Sequence, residues 1–511
     1  MKNNIYLELL FLIILGVLTS FSLPPNNFLI INFITLSFVF FFLFKKKKNN
    51  NHKKSFLYGW IFGLGYFFSN LYWISISLTF DENLNFLIPF TLIIIPAFLA
   101  IFYGFATYFF FLINVKKLIS NFFLFAVLFG IIEFIRGNIL TGFPWNLIVY
   151  SLSNQIEILQ VTSLIGTYAL NILCISFFIS PSIFILRENK KEILVCIFFL
   201  LLPLIFYVAG SSKIKSFQNL ELVKNDYVIR VVGSTIDLDR FYENSDPLSI
   251  IEELIRISEP NLSEKTLFIW PEGIIPNVDQ TEIGEFEFLF DEKFNDNHLL
   301  GIGINSSNNK NKKKFYNSFS LYDHKLNLID SYNKVKLVPF GEFLPLENIL
   351  GSIGLKSLTN NYQSFHSGKK REIISINKND ISMKILPLIC YEIIYSGTIF
   401  DKSDFDYIIN ISEDGWFGNS VGPHQHFTHS LFRSIESGKY LIRSANNGIA
   451  AIINPVGIVE KKIPIQKSGY IDFSEKRVSN LTLFSQHGNK MFLIIILLYI
   501  FLIFSFNRFS K

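Results

Sequence analysis

Pro387-Leu388-Ile389-Cys390-Tyr391-Glu392 is a short apolar run that ends on a thiol and then turns polar. Its β-rich core and the helix-like stretch from Tyr391 onward predict a strand that hands over to a helix at Cys390. Backbone N–H groups at such a helix start point toward an anion, so a thiol there has partners for developing negative charge. Two more apolar runs end in the same manner. Phe268-Ile269-Trp270-Pro271-Glu272 closes on a carboxylate. Tyr332-Asn333-Lys334 closes on a lysine, and Leu337-Val338-Pro339-Phe340-Gly341-Glu342 follows it with a second carboxylate. Desolvation at a strand end raises a carboxylate's pKa and makes it a usable base. A lysine near a thiol favours the thiolate and donates to an oxyanion. Taken singly, a Glu after a strand is usually solvated or a cap, and a Lys in a turn is usually a surface charge. In the order Glu, Lys, Cys they supply base, stabiliser and nucleophile for acyl transfer.

The surrounding segment, 211–489, alternates short β-rich runs with polar turns and helix-like stretches. Strands are expected at Val228 to Gly233, Thr266 to Trp270, Leu299 to Asn305, Tyr316 to Tyr322, Lys384 to Cys390, Tyr407 to Ile411 and Ile449 to Ile453. Their Gly/Asn/Pro punctuation predicts an α/β or layered-sheet domain. The charge run Asn308 to Lys314 reads as a solvated hairpin tip. Cys174 and Cys196 lie in strongly apolar stretches and behave as small hydrophobes, so Cys390 has no disulfide partner in the polar part.

The rest of the chain has another character. Of the 511 residues 50% are hydrophobic and 58 are Phe, more apolar surface than a soluble enzyme carries. Candidate membrane spans lie at 5–22, 27–44, 56–79, 86–113, 119–135, 157–185, 192–210 and 490–506, each about long enough to cross a ~30 Å hydrocarbon layer. Pro24-Pro25 and a second apolar run follow the first span at once, which favours a retained hairpin over a cleaved signal. Basic residues cluster in every second loop: Lys45 to Lys48 with Lys53 and Lys54, then Lys116 and Lys117, then Arg187, Lys190 and Lys191, and finally Arg508 and Lys511. With positive loops inside, both termini are cytoplasmic and 211–489 is periplasmic. The expected organisation is a transmembrane helical domain at 1–210, a catalytic domain at 211–489, and a last helix with a short tail at 490–511. Glu133 and Arg136 are expected to form a lone interfacial pair near a span end. The net charge of +5 comes without a basic patch interleaved with aromatics, which argues against nucleic acid as a partner. His424 and His426 stand two apart without a matching Cys or carboxylate set, so no metal is expected, and His426 reads as a core or site-shaping residue.

Glu272 in WPE, Lys334 in YNK and Cys390 in CYE resemble the catalytic triad of the nitrilase, or carbon–nitrogen hydrolase, superfamily. A narrower set of blocks is similar to the apolipoprotein N-acyltransferase family: LVPFGEFLP at 337–345, DGWFG at 414–418, GPHQH at 422–426, Arg443-Ser444-Ala445-Asn446-Asn447-Gly448 and the membrane motif Gly142-Phe143-Pro144-Trp145. The resemblance runs over essentially the whole chain. It implies a nitrilase-like αββα sandwich beside about eight membrane helices. It also implies transfer of a fatty acyl chain from a membrane phospholipid to the N-terminal amine of a diacylglyceryl apolipoprotein, through a Cys thioester and without a cofactor. On that basis Cys390 is the nucleophile, Glu272 the general base and Lys334 the oxyanion partner. Glu342 orients Lys334 or assists proton transfer, and Tyr391 and Glu392 are supporting residues that match those just after the nucleophile, with the Tyr391 N–H as an oxyanion donor. Trp416 lines the acyl path or is a packed core residue. Where the family usually reads QGN(I/V)PQ followed by Trp, this chain has Val232-Gly233-Ser234-Thr235-Ile236-Asp237 and then Phe241 and Tyr242, which become the candidate lipid contacts. The alternative sharing the same triad is a membrane-tethered amidase acting on an exported amide.

Overall fold

The computed structural model describes residues 5–49, 52–242, 245–308, 314–350, 364–398 and 405–509. Most of the expected hairpin tip at Asn308 to Lys314 lies outside these residues. Eight helices stand where the apolar spans were expected: Ile5–Ser20, Ile30–Lys48, Ser55–Leu71, Ile88–Leu112, Leu118–Asn138, Thr162–Leu186, Lys190–Gln218 and Lys490–Phe509. Six helical segments among the described residues are long and apolar enough to cross a membrane. Ile5–Ser20 is shorter, and Ile30–Lys48 ends on four lysines. The first helix packs backbone to backbone on Ser55–Leu71. A Cβ on Gly16 would lie 2.1 Å from the Phe62 carbonyl oxygen, and one on Gly65 would lie 2.3 Å from that of Ile13. Small residues permit this approach where lipid offers no hydrophobic drive for helix association.

The Glu133–Arg136 pair is not interfacial and not alone. Both side chains are about 1% exposed within Leu118–Asn138. Tyr103 donates its hydroxyl to Glu133, and Arg136 reaches the Phe143 carbonyl, just ahead of the Pro144-Trp145 turn. A buried charge is tolerated when it is paired and hydrogen-bonded in this way, and it ties the membrane motif to the helix bundle.

The remainder is a 12-stranded sheet folded on itself. Its strands are β1 (Leu222–Ser234), β2 (Thr266–Ile269), β3 (His298–Asn308), β4 (Lys314–Asp323), β5 (Leu328–Asn333), β6 (Ile374–Lys378), β7 (Ile381–Ile389), β8 (Tyr407–Glu413), β9 (Tyr440–Asn446), β10 (Ala450–Ile453), β11 (Val459–Ile463) and β12 (Gly469–Arg477). One half runs β12-β1-β2-β3-β4-β5 and the other β11-β10-β9-β8-β7-β6, joined where Gly233 and Ser234 of β1 pair with Ala445 and Asn446 of β9. The halves face each other across a core that includes Ile229, Val231, Leu267, Phe319, Ile385, Ile409, Ile442 and Ile452. Each outer face is covered. The amphipathic helix Pro247–Ser258, capped by Asp246 and opened by Pro247, buries Ile251 and Leu254 against the first half with Trp270 and Phe290. The helix Gly422–Ser437 covers the second half and sits against the membrane helices, whose core it shares through Phe432 and Ile435. This is the αββα sandwich.

β9 is not among the expected strands, because Arg443, Ser444 and Asn446 interrupt its apolar run; all seven of its residues are nevertheless buried. β5, β6, β11 and β12 also lie outside the expected strands, since polar residues break up their apolar runs.

Candidate active site

β1, β2, β7, β8 and β9 run parallel, and β5 is antiparallel to β4, which is itself antiparallel to β3. The C-terminal ends of β2, β5, β7 and β8 therefore gather at one end of the sandwich. Open parallel sheets place their ligand crevices at such an end. Glu272 follows β2, Lys334 follows β5 and Cys390 follows β7.

Glu272, Lys334 and Glu342 form a closed set. Lys334 Nζ donates to Glu272 Oε1 and to Glu342 Oε1, each at 2.9 Å. Asn317 Nδ2 donates to the same two oxygens at 2.7 and 2.8 Å. The other Glu272 oxygen accepts the Glu413 N–H at 2.9 Å, and the other Glu342 oxygen accepts the Val338 N–H at 2.7 Å. Lys334 is 1% exposed. Burial works against its charge, but the Glu272 and Glu342 carboxylates outweigh burial and hold the ammonium well above the usual lysine range.

Cys390 opens the short turn Cys390–Ile394 with φ +46°, the left-handed region that costs a non-glycine residue about 1–3 kcal/mol. Burial and the Glu272 charge push its thiol well above the ordinary range, against a smaller pull from Lys334 and a hydrogen bond with the Ser412 side chain. Cys390 thus rests as a thiol rather than a thiolate.

Glu392 stands outside the Glu272–Lys334–Glu342 set. Wholly buried, it accepts from Tyr332 Oη at 2.8 Å, Val335 N at 3.0 Å, Lys336 N at 3.2 Å and Arg371 Nη2 at 3.3 Å, while its second oxygen accepts the Ile389 N–H at 2.9 Å. It staples the segment carrying Lys334 to the strand end carrying Cys390. The Tyr391 side chain points to the membrane helices, where its hydroxyl donates to the Gly142 carbonyl at 2.9 Å. Tyr395 donates to the Thr141 carbonyl at 2.9 Å. Trp416, Phe241 and Tyr242 come together: the Trp416 ring centroid is 5.1 Å from Phe241, 6.3 Å from Tyr242 and 5.9 Å from Phe80 of the membrane part. Trp416 is half-buried, at a seam between the two parts rather than in a packed core.

Residues 15–179 match the family model of the apolipoprotein N-acyltransferase N-terminal domain, and residues 250–472 match that of carbon-nitrogen hydrolase. The apolipoprotein N-acyltransferase of Rickettsia prowazekii (strain Madrid E) is 34% identical over 444 residues, covering 84% of this chain and 86% of the relative. That of Brucella suis biovar 1 (strain 1330) is 29% identical over 427 residues, covering 81% of this chain and 78% of the relative. The chain belongs to the apolipoprotein N-acyltransferase family. Among solved structures, Nit3 of Saccharomyces cerevisiae, from branch 10 of the nitrilase superfamily, aligns at 14% identity over 48% of this chain and 90% of its own, with a TM-score of 0.34.

Asn317, Asp414 and Arg443 are polar residues of the site that the sequence did not single out, and His426, expected as a core or site-shaping residue, stands among them. Asn317 bridges the two carboxylates from the middle of β4. Behind Cys390, Asp414, His426 and Arg443 are all fully buried and in contact, with Arg443 Nη2 2.8 Å from Asp414 Oδ2. Burial opposes the Asp414 charge, but Arg443 and His426 outweigh it and hold the carboxyl well below the usual range. Asp414, His426 and Arg443 each came from a different quoted block, so the signal was three polar residues with no surface to serve. Among the described residues no group of His, Cys, Asp and Glu could hold a metal ion.

Proposed function

We propose that the chain transfers a fatty acyl chain from a membrane phospholipid to the N-terminal α-amino group of a diacylglyceryl apolipoprotein, with Cys390 as nucleophile, Glu272 as base and Lys334 as oxyanion partner. The observation that carries this reading is the placement of a buried Glu–Lys–Cys set directly against membrane helices, with the Tyr391 hydroxyl on the Gly142 carbonyl. Family membership and the apolar helices support a membrane enzyme, and the alternation of basic loops supports cytoplasmic termini with the catalytic domain outside.

In the first half-reaction Glu272 takes the Cys390 proton and the sulfur attacks the ester carbonyl. An ammonium has three N–H donors; Lys334 commits two of them to Glu272 and Glu342, and the third serves the oxyanion together with the Tyr391 N–H. Collapse breaks the ester C–O bond, Glu272 returns the proton to the leaving alkoxide, and lysophospholipid departs. In the second half-reaction the lipoprotein amine attacks the thioester, Glu272 accepts a proton from the nitrogen, and the thiol re-forms. One nucleophile serving two substrates in turn gives ping-pong kinetics. The near-complete burial of Cys390 limits competing attack by water. Trp416, Phe241, Tyr242 and Phe80 supply an aromatic surface for an acyl chain at the seam.

The test expresses the chain in cells depleted of their own N-acyltransferase and weighs a lipoprotein's N-terminal peptide. Wild type should add a third acyl chain, and Cys390→Ala and Glu272→Gln should not. A peptide that stays diacylated with inserted wild-type protein refutes the transferase reading and leaves the tethered amidase to be tested.

A further inference from the structure

We infer that His426 is a positioning residue for the nucleophile: it holds the Cys390 carbonyl and thereby fixes the left-handed turn that presents the thiol, under the hand of the membrane segment Gly142–Trp145. The inference rests on the reading of Cys390 as the acylated residue.

His426 Nε2 lies 3.2 Å from the Cys390 carbonyl oxygen. Its Nδ1 lies 2.8 Å from Asp414 Oδ1 and 3.1 Å from Arg443 Nη2. A carbonyl only accepts, so the contact is a hydrogen bond in the forms of the ring that carry a proton on Nε2. This holds for the imidazolium, which also donates to Asp414, and for the neutral Nε2–H tautomer, whose Nδ1 accepts from Arg443. The ring is wholly buried and clamped on its flat side by Trp145, with centroids 5.4 Å apart and planes 19° from parallel. Trp145 is itself fixed by its Nε1–H to Gln425 Oε1 at 2.8 Å, one residue before His426. The same membrane segment meets the turn a second time, at Gly142, through the Tyr391 hydroxyl.

Cys390 occupies a conformation that an unrestrained cysteine avoids, and such backbone persists only where its surroundings over-determine it. The His426 donor bonds the peptide group immediately after the strained α-carbon. Losing it frees that peptide to rotate, which moves the sulfur and re-aims the following N–H. His426 touches neither the thiol nor, in the mechanism above, a reacting atom, so its effect passes through Cys390.

Gln and Met are close in shape at position 426, but only Gln supplies an N–H donor. The full-length enzyme in detergent micelles is given a phospholipid with a fluorescent acyl chain, and hydroxylamine-sensitive label on the protein reports the thioester. His426→Met should slow thioester formation at least about tenfold, since misplacement by an ångström costs roughly 100-fold. The loss should fall in the limiting rate, with the half-saturating lipid concentration unchanged. His426→Gln should be slowed less than tenfold. A folded Met variant slowed less than tenfold overturns the inference. So does a Gln variant that fails to fold or is slowed as much as Met. Should Met prevent folding, the Gln variant alone decides, by the same tenfold limit. A wild-type enzyme that forms no thioester refutes the nucleophile assignment itself, a result separate from any difference between the two variants.

Discussion

Glu392→Gln replaces one oxygen by an amide nitrogen at a site where five donors converge. Gln keeps a single carbonyl oxygen. If that oxygen stays with Tyr332, Val335 and Lys336, the amide N–H₂ is aimed at the Ile389 N–H, and a bond of 2.9 Å becomes a donor facing a donor. A buried N–H left unpaired costs about 1–3 kcal/mol. The bonds that remain lose their charge assistance, and Arg371, whose side chain is 12% exposed, loses the carboxylate that compensates it. The total expected loss is about 3–5 kcal/mol, as for breaking a buried ion pair from one side. The consequence for rate is indirect. Lys334 N–H still donates to the Asn317 carbonyl at 2.9 Å, and Lys334 O still accepts from Gly368 N at 2.8 Å. The ammonium therefore shifts rather than leaves, and displacement by about 1 Å costs roughly 100-fold. Thioester formation on Cys390 and the melting temperature of the purified enzyme are the two readouts, and both should fall. A variant that melts and acylates like wild type refutes the stapling role. One that melts early yet acylates normally shows that other contacts position Lys334.

Glu272→Gln should abolish transfer yet lower the Cys390 pKa, because burial and the Glu272 charge are what raise it while Lys334 pulls it down. Mixed-disulfide formation between the thiol and a small alkyl thiosulfonate, with release of sulfinate, should near pH 7 be faster in this variant than in wild type and slower in Lys334→Met; equal rates in all three contradict the electrostatic account. Asp414→Asn should destabilise the protein at pH 7 by about 3–5 kcal/mol, since it strands the buried Arg443. Because the folded-state pKa of Asp414 is depressed, its stabilisation is present above the unfolded value of about 3.9 and is lost as pH falls below it, so wild type and variant should converge in acid melts.

Much of the architecture was legible in the sequence because membrane helices and buried parallel strands are written in long or uninterrupted apolar runs. The residues after β2, β5 and β7 stood out because each ends such a run with a charge or a thiol. What stayed hidden was pairing. Asn317 looks like any strand polar residue until β4 is laid beside β3 and both carboxylates are seen to share its amide. Arg443 hides a buried strand because the sequence gives no sign that Asp414 and the Asn410 side chain await it inside. Glu133 and Arg136 looked interfacial for the opposite reason: their position near a helix end was visible, and their partner Tyr103, on another helix, was not.

The distribution of partners around Cys390 bears on why the catalytic and membrane parts form one chain. The left-handed turn costs about 1–3 kcal/mol, and a net hydrogen bond contributes about 1 kcal/mol. Glu392 holds the turn from the strand side through Ile389, and His426 holds it from the helix side through the Cys390 carbonyl. The third hold, from Tyr391 to Gly142, belongs to the membrane part, which also presses Trp145 on His426. With one hold removed, the remaining two are of the same size as the strain they oppose. A sandwich separated from its membrane helices would keep Glu272, Lys334 and Glu342 together, since their bonds to one another, to Asn317 and to the Glu413 N–H all lie within the sandwich and its loops. It would lose the margin that keeps the nucleophile facing them.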